Sequence, residues 1–212
     1  RHTAPELLRS NLAGVILDMK ALRLGAVEAF PFLDPPRPKA VREGYRTLFE
    51  LAAVDEEGRL TDTGRTLSRL PLDPRLARLL LEGQRLGCAD ALRIVVAALG
   101  AGDPRERPAE DTGTADRAHA RFLDPASDVM TLLKLHDHCS REEAARSGRG
   151  FRGWCRDHHL RFTRWREWND VVRQLRDMTR QGDEDGPDAR NPDRIHRALV
   201  PGMLSHVAMR GE

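Results

Sequence analysis

The sequence predicts a mainly α protein, in which a helix–hairpin–helix unit leads into an all-helical bundle. Three observations carry this prediction. Aromatic residues make up 5% of the 212 residues and charged residues 32%, while Leu and Ala supply most apolar side chains, a balance that favours helices packed on helices. From Leu60 to Gly87, residues Leu67, Leu70, Leu76, Leu79, Leu80 and Leu86 keep helical spacing on both sides of an extended elbow. Only one short stretch, Val54–Leu60, has hairpin character, with its turn placed at Glu57-Gly58.

Each element has its own signal. Pro5–Leu24 reads as a helix with Leu12, Val15, Ile16 and Met19 on its apolar face, and Gly25 suits its stop. The proline-dense stretch after Ala29 is an extended linker. A helix follows over about 40–52, then the hairpin, and Thr61 suits the cap of the next helix. Pro71 and Pro74 stop that helix and start another. Arg75–Leu86 and Asp90–Leu99 pair antiparallel across Gly87. Gly100–Pro108 is a loop, Thr114–Phe122 a short helix, and Ser127 to about Arg146 a longer one with Val129, Leu132, Leu133 and Leu135 inward. Gly148–His158 and His159–Arg180 break near His158-His159, Asn191–Met203 is the final helix, and Ser205–Met209 has strand character. Leu76, Leu79, Leu80, Ile94, Val95 and Leu132 are the expected core positions.

Charge is distributed unevenly. The net charge is only +2, yet Arg141–Arg180 holds eleven arginines against six acids, a local balance of +5. This reads as a basic surface on helices, followed by a solvated acidic loop at Gln181–Asp188. Trp154, Trp165 and Trp168 alternate with Arg152, Arg156, Arg164 and Arg166. Aromatics beside cations can stack bases and hold phosphates, but tryptophans at helical spacing are more often core with arginines facing water. His136, His138, Cys139, Cys155, His158 and His159 lack any C-x-x-C pair, and His136 and His138 stand about 200° apart on a helix. They read as packed or surface side chains, with no metal site. No window suits a membrane span, and three cysteines without a motif read as reduced thiols in a cytoplasmic protein.

The order of these blocks resembles the C-terminal accessory region of DEAH-box ATP-dependent RNA helicases. Pro5–Gly25 resembles the segment leaving the second RecA-like domain, and Ala29–Val41, AFPFLDPPRPKAV, the linker after it. Leu48–Leu76 is similar to the winged-helix core. Gly87–Pro108, with DPRERP, resembles the start of the ratchet-like domain, and Ala115–Leu175 continues it with SDVMTLLKLHD and WCRDHHLRFTRWREWNDVVRQL. FPFLDPP and the Trp-Arg-Glu-Trp block resemble the bacterial HrpA-type branch.

The resemblance implies a winged helix followed by an all-helical ratchet-like bundle. Residues 1–35 would leave the second RecA-like domain, 36–73 form the winged helix, 74–182 the ratchet-like domain, and 183–212 a final helix leading towards an OB-fold. It implies an accessory region that guides single-stranded RNA and is not itself an enzyme, within a parent that hydrolyses ATP and unwinds RNA. No G-x-x-x-x-G-K-[ST] loop, Asp-Glu-Ala-His box or γ-phosphate arginine motif occurs here. ATP and Mg would therefore belong to RecA-like domains of the parent, with these and the OB-fold as the region's domain partners. The non-Met start agrees with a piece of a larger ATPase. The implied RNA contacts are Arg105, Arg107, Arg152, Arg156, Arg164 and Arg166. Two rivals stand beside this reading. One is a DNA-binding winged-helix regulator using Arg65 and Arg69, and the other is a helical protein-interaction scaffold.

Overall fold

The computed structural model describes residues 12–179, 185–186 and 188–203. The expected strand at Ser205–Met209 lies outside them. The described chain is mainly α, and its β structure is limited to the isolated bridges Val54–Leu60 and Arg105–Leu160. It divides into two compact units, one holding residues 12–82 and 196–203, the other Gly83–Ile195.

The first unit contains α1 (Leu12–Ala21), α2 (Pro38–Glu50), α3 (Asp62–Leu67) and most of α4 (Pro74–Arg85). Leu12, Ile16, Leu17, Val41, Leu48, Val54 and Leu67 bury together. Helices α1 and α2 approach closely, since a Cβ on Gly44 would lie 2.6 Å from Ile16 Cδ1. The hairpin is minimal: Asp55 N–H donates to Arg59 O at 3.0 Å and Gly58 N–H to Asp55 O at 2.9 Å. Its turn therefore centres on Glu56-Glu57, one residue before the expected position, with Gly58 taking φ +72°. Thr61 caps α3 by accepting from Gly64 N–H at 3.0 Å, and its hydroxyl donates to Ala52 O at 2.7 Å.

The second unit contains α5 (Ala89–Ala101), α6 (Thr112–His119), α7 (Asp128–Ala145), α8 (Gly148–Asp157), α9 (Phe162–Met178) and the start of α10 (Pro192–Met203). Helix α5 is its axis: every residue from Ala91 to Ala98 is buried, and α7 and α9 both pack on it. Helix α9 presents Trp165, Trp168, Val172 and Leu175 inward at three- and four-residue steps. The Trp168 indole N–H donates to Ile94 O at 2.9 Å.

Of the expected core positions, Leu79, Leu80, Ile94 and Val95 are buried, whereas Leu76 and Leu132 are half-buried. Leu76 sits in the first turn of α4. Leu132 and Val129 make a half-covered row on α7, beside the buried row of Leu135 and Cys139.

One stop device recurs. The residue three past a helix end donates back five positions while the residue before it turns left-handed. It closes α1 (Leu24 N to Met19 O, 2.9 Å), α2 (Ala53 N to Leu48 O, 2.8 Å), α4 (Cys88 N to Gly83 O, 2.9 Å) and α8 (Leu160 N to Cys155 O, 2.8 Å). The left-handed residues are Arg23, Ala52, Gly87 and His159. Helix α1 thus ends on Arg23 and not at Gly25.

Candidate nucleic-acid interface

The basic stretch folds so that its aromatic and cationic residues separate. On α8, Phe151, Trp154 and Cys155 are buried, while Arg149, Arg152 and Arg156 line the opposite, exposed face. Ser147 starts that helix by accepting from Gly150 N–H at 3.2 Å. On α9, Trp165 and Trp168 are buried to 1% and 0% exposure, and Arg164 and Arg166 are exposed. The three tryptophans are therefore core. Trp154 stacks on Phe151 (5.6 Å) and on His158 (4.3 Å), and Trp165 meets Trp168 edge-on at 5.9 Å.

The exposed arginines are lightly engaged. Arg152 lies over the Phe162 ring at 4.8 Å. Arg156 reaches Asp157 at 3.6 Å with both side chains well exposed, a pair of little net worth. Arg164 and Arg166 have no carboxylate partner among the described residues, and an Arg164 Nη1 lies beside Gly102.

The loop expected to join them is built differently. Arg105 is gripped by Asp103 at 2.6–3.1 Å and is only 23% exposed. Arg107 pairs with Asp116 at 2.6 Å. The loop is pinned to the turn between α8 and α9: Glu106 N–H donates to His159 O at 2.8 Å, Arg161 N–H donates to Pro104 O at 2.8 Å, and Arg161 pairs with Glu106. His119 Nε2 lies 3.2 and 3.1 Å from the carbonyls of His158 and His159, so it acts as a donor there. Burial holds its pKa below the ordinary value, opposed by the bonds to those carbonyls. The sequence pointed to the arginines of this loop but not to Arg161, which fastens it.

In the hairpin unit, Arg65 is taken up by Asp62 and by Leu60 O at 3.0 Å. Its guanidinium is occupied locally, away from the groove-reading role of the regulator alternative.

The clustered histidines and cysteines take packing roles. His136 lies 5.2 Å from both Trp165 and Trp168, and His138 sits between Phe122 and Trp154. Cys139 and Cys155 are buried free thiols. Burial pushes Cys155 up to about 12, with Glu143 adding to it, and raises Cys139 further still, which makes both inert. Among the described residues no group of three His, Cys, Asp or Glu is placed to hold a metal ion, and no helix is long and apolar enough to cross a membrane.

A helix–hairpin–helix unit containing a Pro-Leu-Asp-Pro elbow, followed in sequence by a helical bundle, fits the helicase-associated class of accessory domain. The chain matches the helicase-associated (HA2) winged-helix domain over residues 45–72 and the HA2 ratchet-like domain over residues 73–132. It is 42% identical over 98% of its length to the ATP-dependent RNA helicase HrpA of Escherichia coli, and 39% identical over 98% to the HrpA homolog of Haemophilus influenzae. It is 33% identical over 97% to the pre-mRNA-splicing factor ATP-dependent RNA helicase prp22 of Schizosaccharomyces pombe. The chain spans 16–17% of the length of these relatives. Over residues 45–132 it therefore carries the helicase-associated (HA2) domains, a winged-helix part followed by a ratchet-like part.

Proposed function

We propose that this chain is the RNA-guiding accessory region of an ATP-dependent DEAH-box RNA helicase that works in the cytoplasm. ATP hydrolysis and its Mg belong to RecA-like domains of the parent, because this sequence has no phosphate loop and no Asp-Glu-Ala-His box. The RecA-like and OB-fold domains of the same parent are its domain partners. The region holds single-stranded RNA by its backbone, without reading sequence.

One observation supports this reading most. The α8–α9 segment turns Arg152, Arg156, Arg164 and Arg166 outward over a buried tryptophan core. Cations fixed on a rigid support, and largely free of carboxylate partners, suit phosphate contact. Arg105 and Arg107 join that contact only by leaving Asp103 and Asp116, so they rank behind the helical arginines.

Crosslinking with 4-thiouridine-substituted single-stranded RNA tests the assignment. Crosslinks on the peptides spanning 149–166, equal for unrelated RNA sequences, are expected. Crosslinks concentrated near Arg65 and Arg69, with preference for duplexes, would instead favour the groove-reading regulator.

A further inference from the structure

A second basic feature lies elsewhere in the helical bundle. A cavity of about 540 Å³ is walled by α5, α7, α9 and the turn before α10. Arg141, Arg176 and Arg190 line it, together with Ser140 and Asn169. His136 also lines it, although only 4% exposed, and its Nε2 has no hydrogen-bond partner. A buried polar atom of this kind is uncommon and calls for an explanation.

Two of the arginines are held in place. Asp90 accepts from Arg176 at 2.7 and 3.1 Å, and Asp137 accepts from Arg190 at 2.9 Å. Arg141 donates only to the main-chain oxygen of Asp137, at 3.3 Å, and has no carboxylate partner among the described residues. Asp137 is the one acid lining the cavity, so the wall keeps an excess of positive charge. Glu143, which is not in the lining, accepts from the Asn169 amide at 3.2 Å. The guanidinium N–H groups that Asp90 and Asp137 leave open, and the whole of Arg141, suit a tetrahedral oxyanion. Burial, then Arg176 and Arg190, lower His136 to about 4 against the opposing pull of Asp90, so the ring is neutral near pH 7. A neutral imidazole still offers one N–H, which a bound oxyanion or its bridging water would accept.

The geometry points to a binding site in this cavity for a small phosphate-bearing ligand, either inorganic phosphate or a nucleoside 5′-monophosphate. The volume falls within the range of small-molecule sites. Along α9, Arg176 lies about 15 Å or more from Arg164 and Arg166, while Asn169 stands about 5 Å from Arg166, so the RNA measurement below decides whether the cavity is separate from the proposed strand-binding face.

The test is calorimetric titration of the full chain, in buffer free of phosphate, with inorganic phosphate and with adenosine 5′-monophosphate. Histidine side-chain NMR during each titration places the ligand. Saturable binding that moves the His136 signals is expected, and the tighter of the two ligands identifies the source. Arg141→Gln should weaken binding about tenfold, the effect of removing one charged hydrogen bond. Arg173→Gln, an exposed change on α9 outside the cavity, should leave binding unchanged. No saturable binding up to about 10 mM, or unmoved His136 signals, would overturn the proposal. So would equal weakening by the two variants, which would mean a general charge effect. Loss of single-strand RNA affinity in Arg141→Gln would overturn it too, because the cavity would then belong to the strand path.

Discussion

Acid should destabilise the helical bundle through His136 before most carboxylates titrate. The ring is buried between two indoles, and burial first, then Arg176 and Arg190, lower its pKa from 6.5 to about 4. The folded value lies below the unfolded one, so the unfolded chain binds this proton more readily. The contribution is complete above about pH 6.5 and drains away as pH falls towards 4. A gap from 6.5 to about 4, at about 1.4 kcal/mol per unit, amounts to about 3–4 kcal/mol. Most of that should be gone by about pH 4.5. Urea unfolding followed by tryptophan fluorescence reads this unit alone, because Trp154, Trp165 and Trp168 all lie in it. His136→Phe removes the titration while keeping an aromatic ring. His119 and His138, also lowered by burial, titrate in both proteins and cancel in the comparison. Wild type should lose about 2–3 kcal/mol more than the variant between pH 7 and 4.5. Parallel losses in the two proteins, or a His136 NMR titration centred near 6.5, would refute the reasoning.

Two further expectations concern the first compact unit. Leu79 is 1% exposed, so Leu79→Ala should cost about 2–5 kcal/mol; an unchanged circular-dichroism melt would show that the site collapses without penalty. A Cβ on Gly64 would stand 2.1 Å from Ala53 O and 2.7 Å from Leu60 Cδ1, so Gly64→Ala should cost about 1–3 kcal/mol by pushing α3 off the hairpin. Full stability of that variant would contradict the close approach.

Helix positions and the hairpin were legible because burial repeats at fixed periods and prolines punctuate the chain. Stops were less legible. Three of the four left-handed stop positions carry Arg23, Ala52 and His159 in place of glycine, so the usual marker is absent. The tryptophan question could be decided from spacing in favour of the core, and the buried indoles agree. The state of each arginine could not be read. Spacing places Arg105 and Arg107 in a charged loop, but only the folded chain shows Asp103 and Asp116 taking their charge. His136 shows the same gap. Its neighbours Trp165 and Trp168 are about thirty residues away in sequence, and periodicity within α7 says nothing of what α9 brings against it.

The most direct measurement is the salt dependence of RNA affinity in the parent helicase. Wild type is compared with a variant carrying Arg152→Ala, Arg156→Ala and Arg164→Ala. All three side chains are exposed, so the fold should survive, and circular dichroism checks that it has. If these groups hold phosphates, affinity falls by a similar factor for unrelated RNA sequences. The slope of log affinity against log salt also flattens, by about 0.7 for each phosphate of the single strand that the variant leaves unneutralised. Unchanged affinity and unchanged slope, with the fold intact, would contradict the assignment of this face to the RNA.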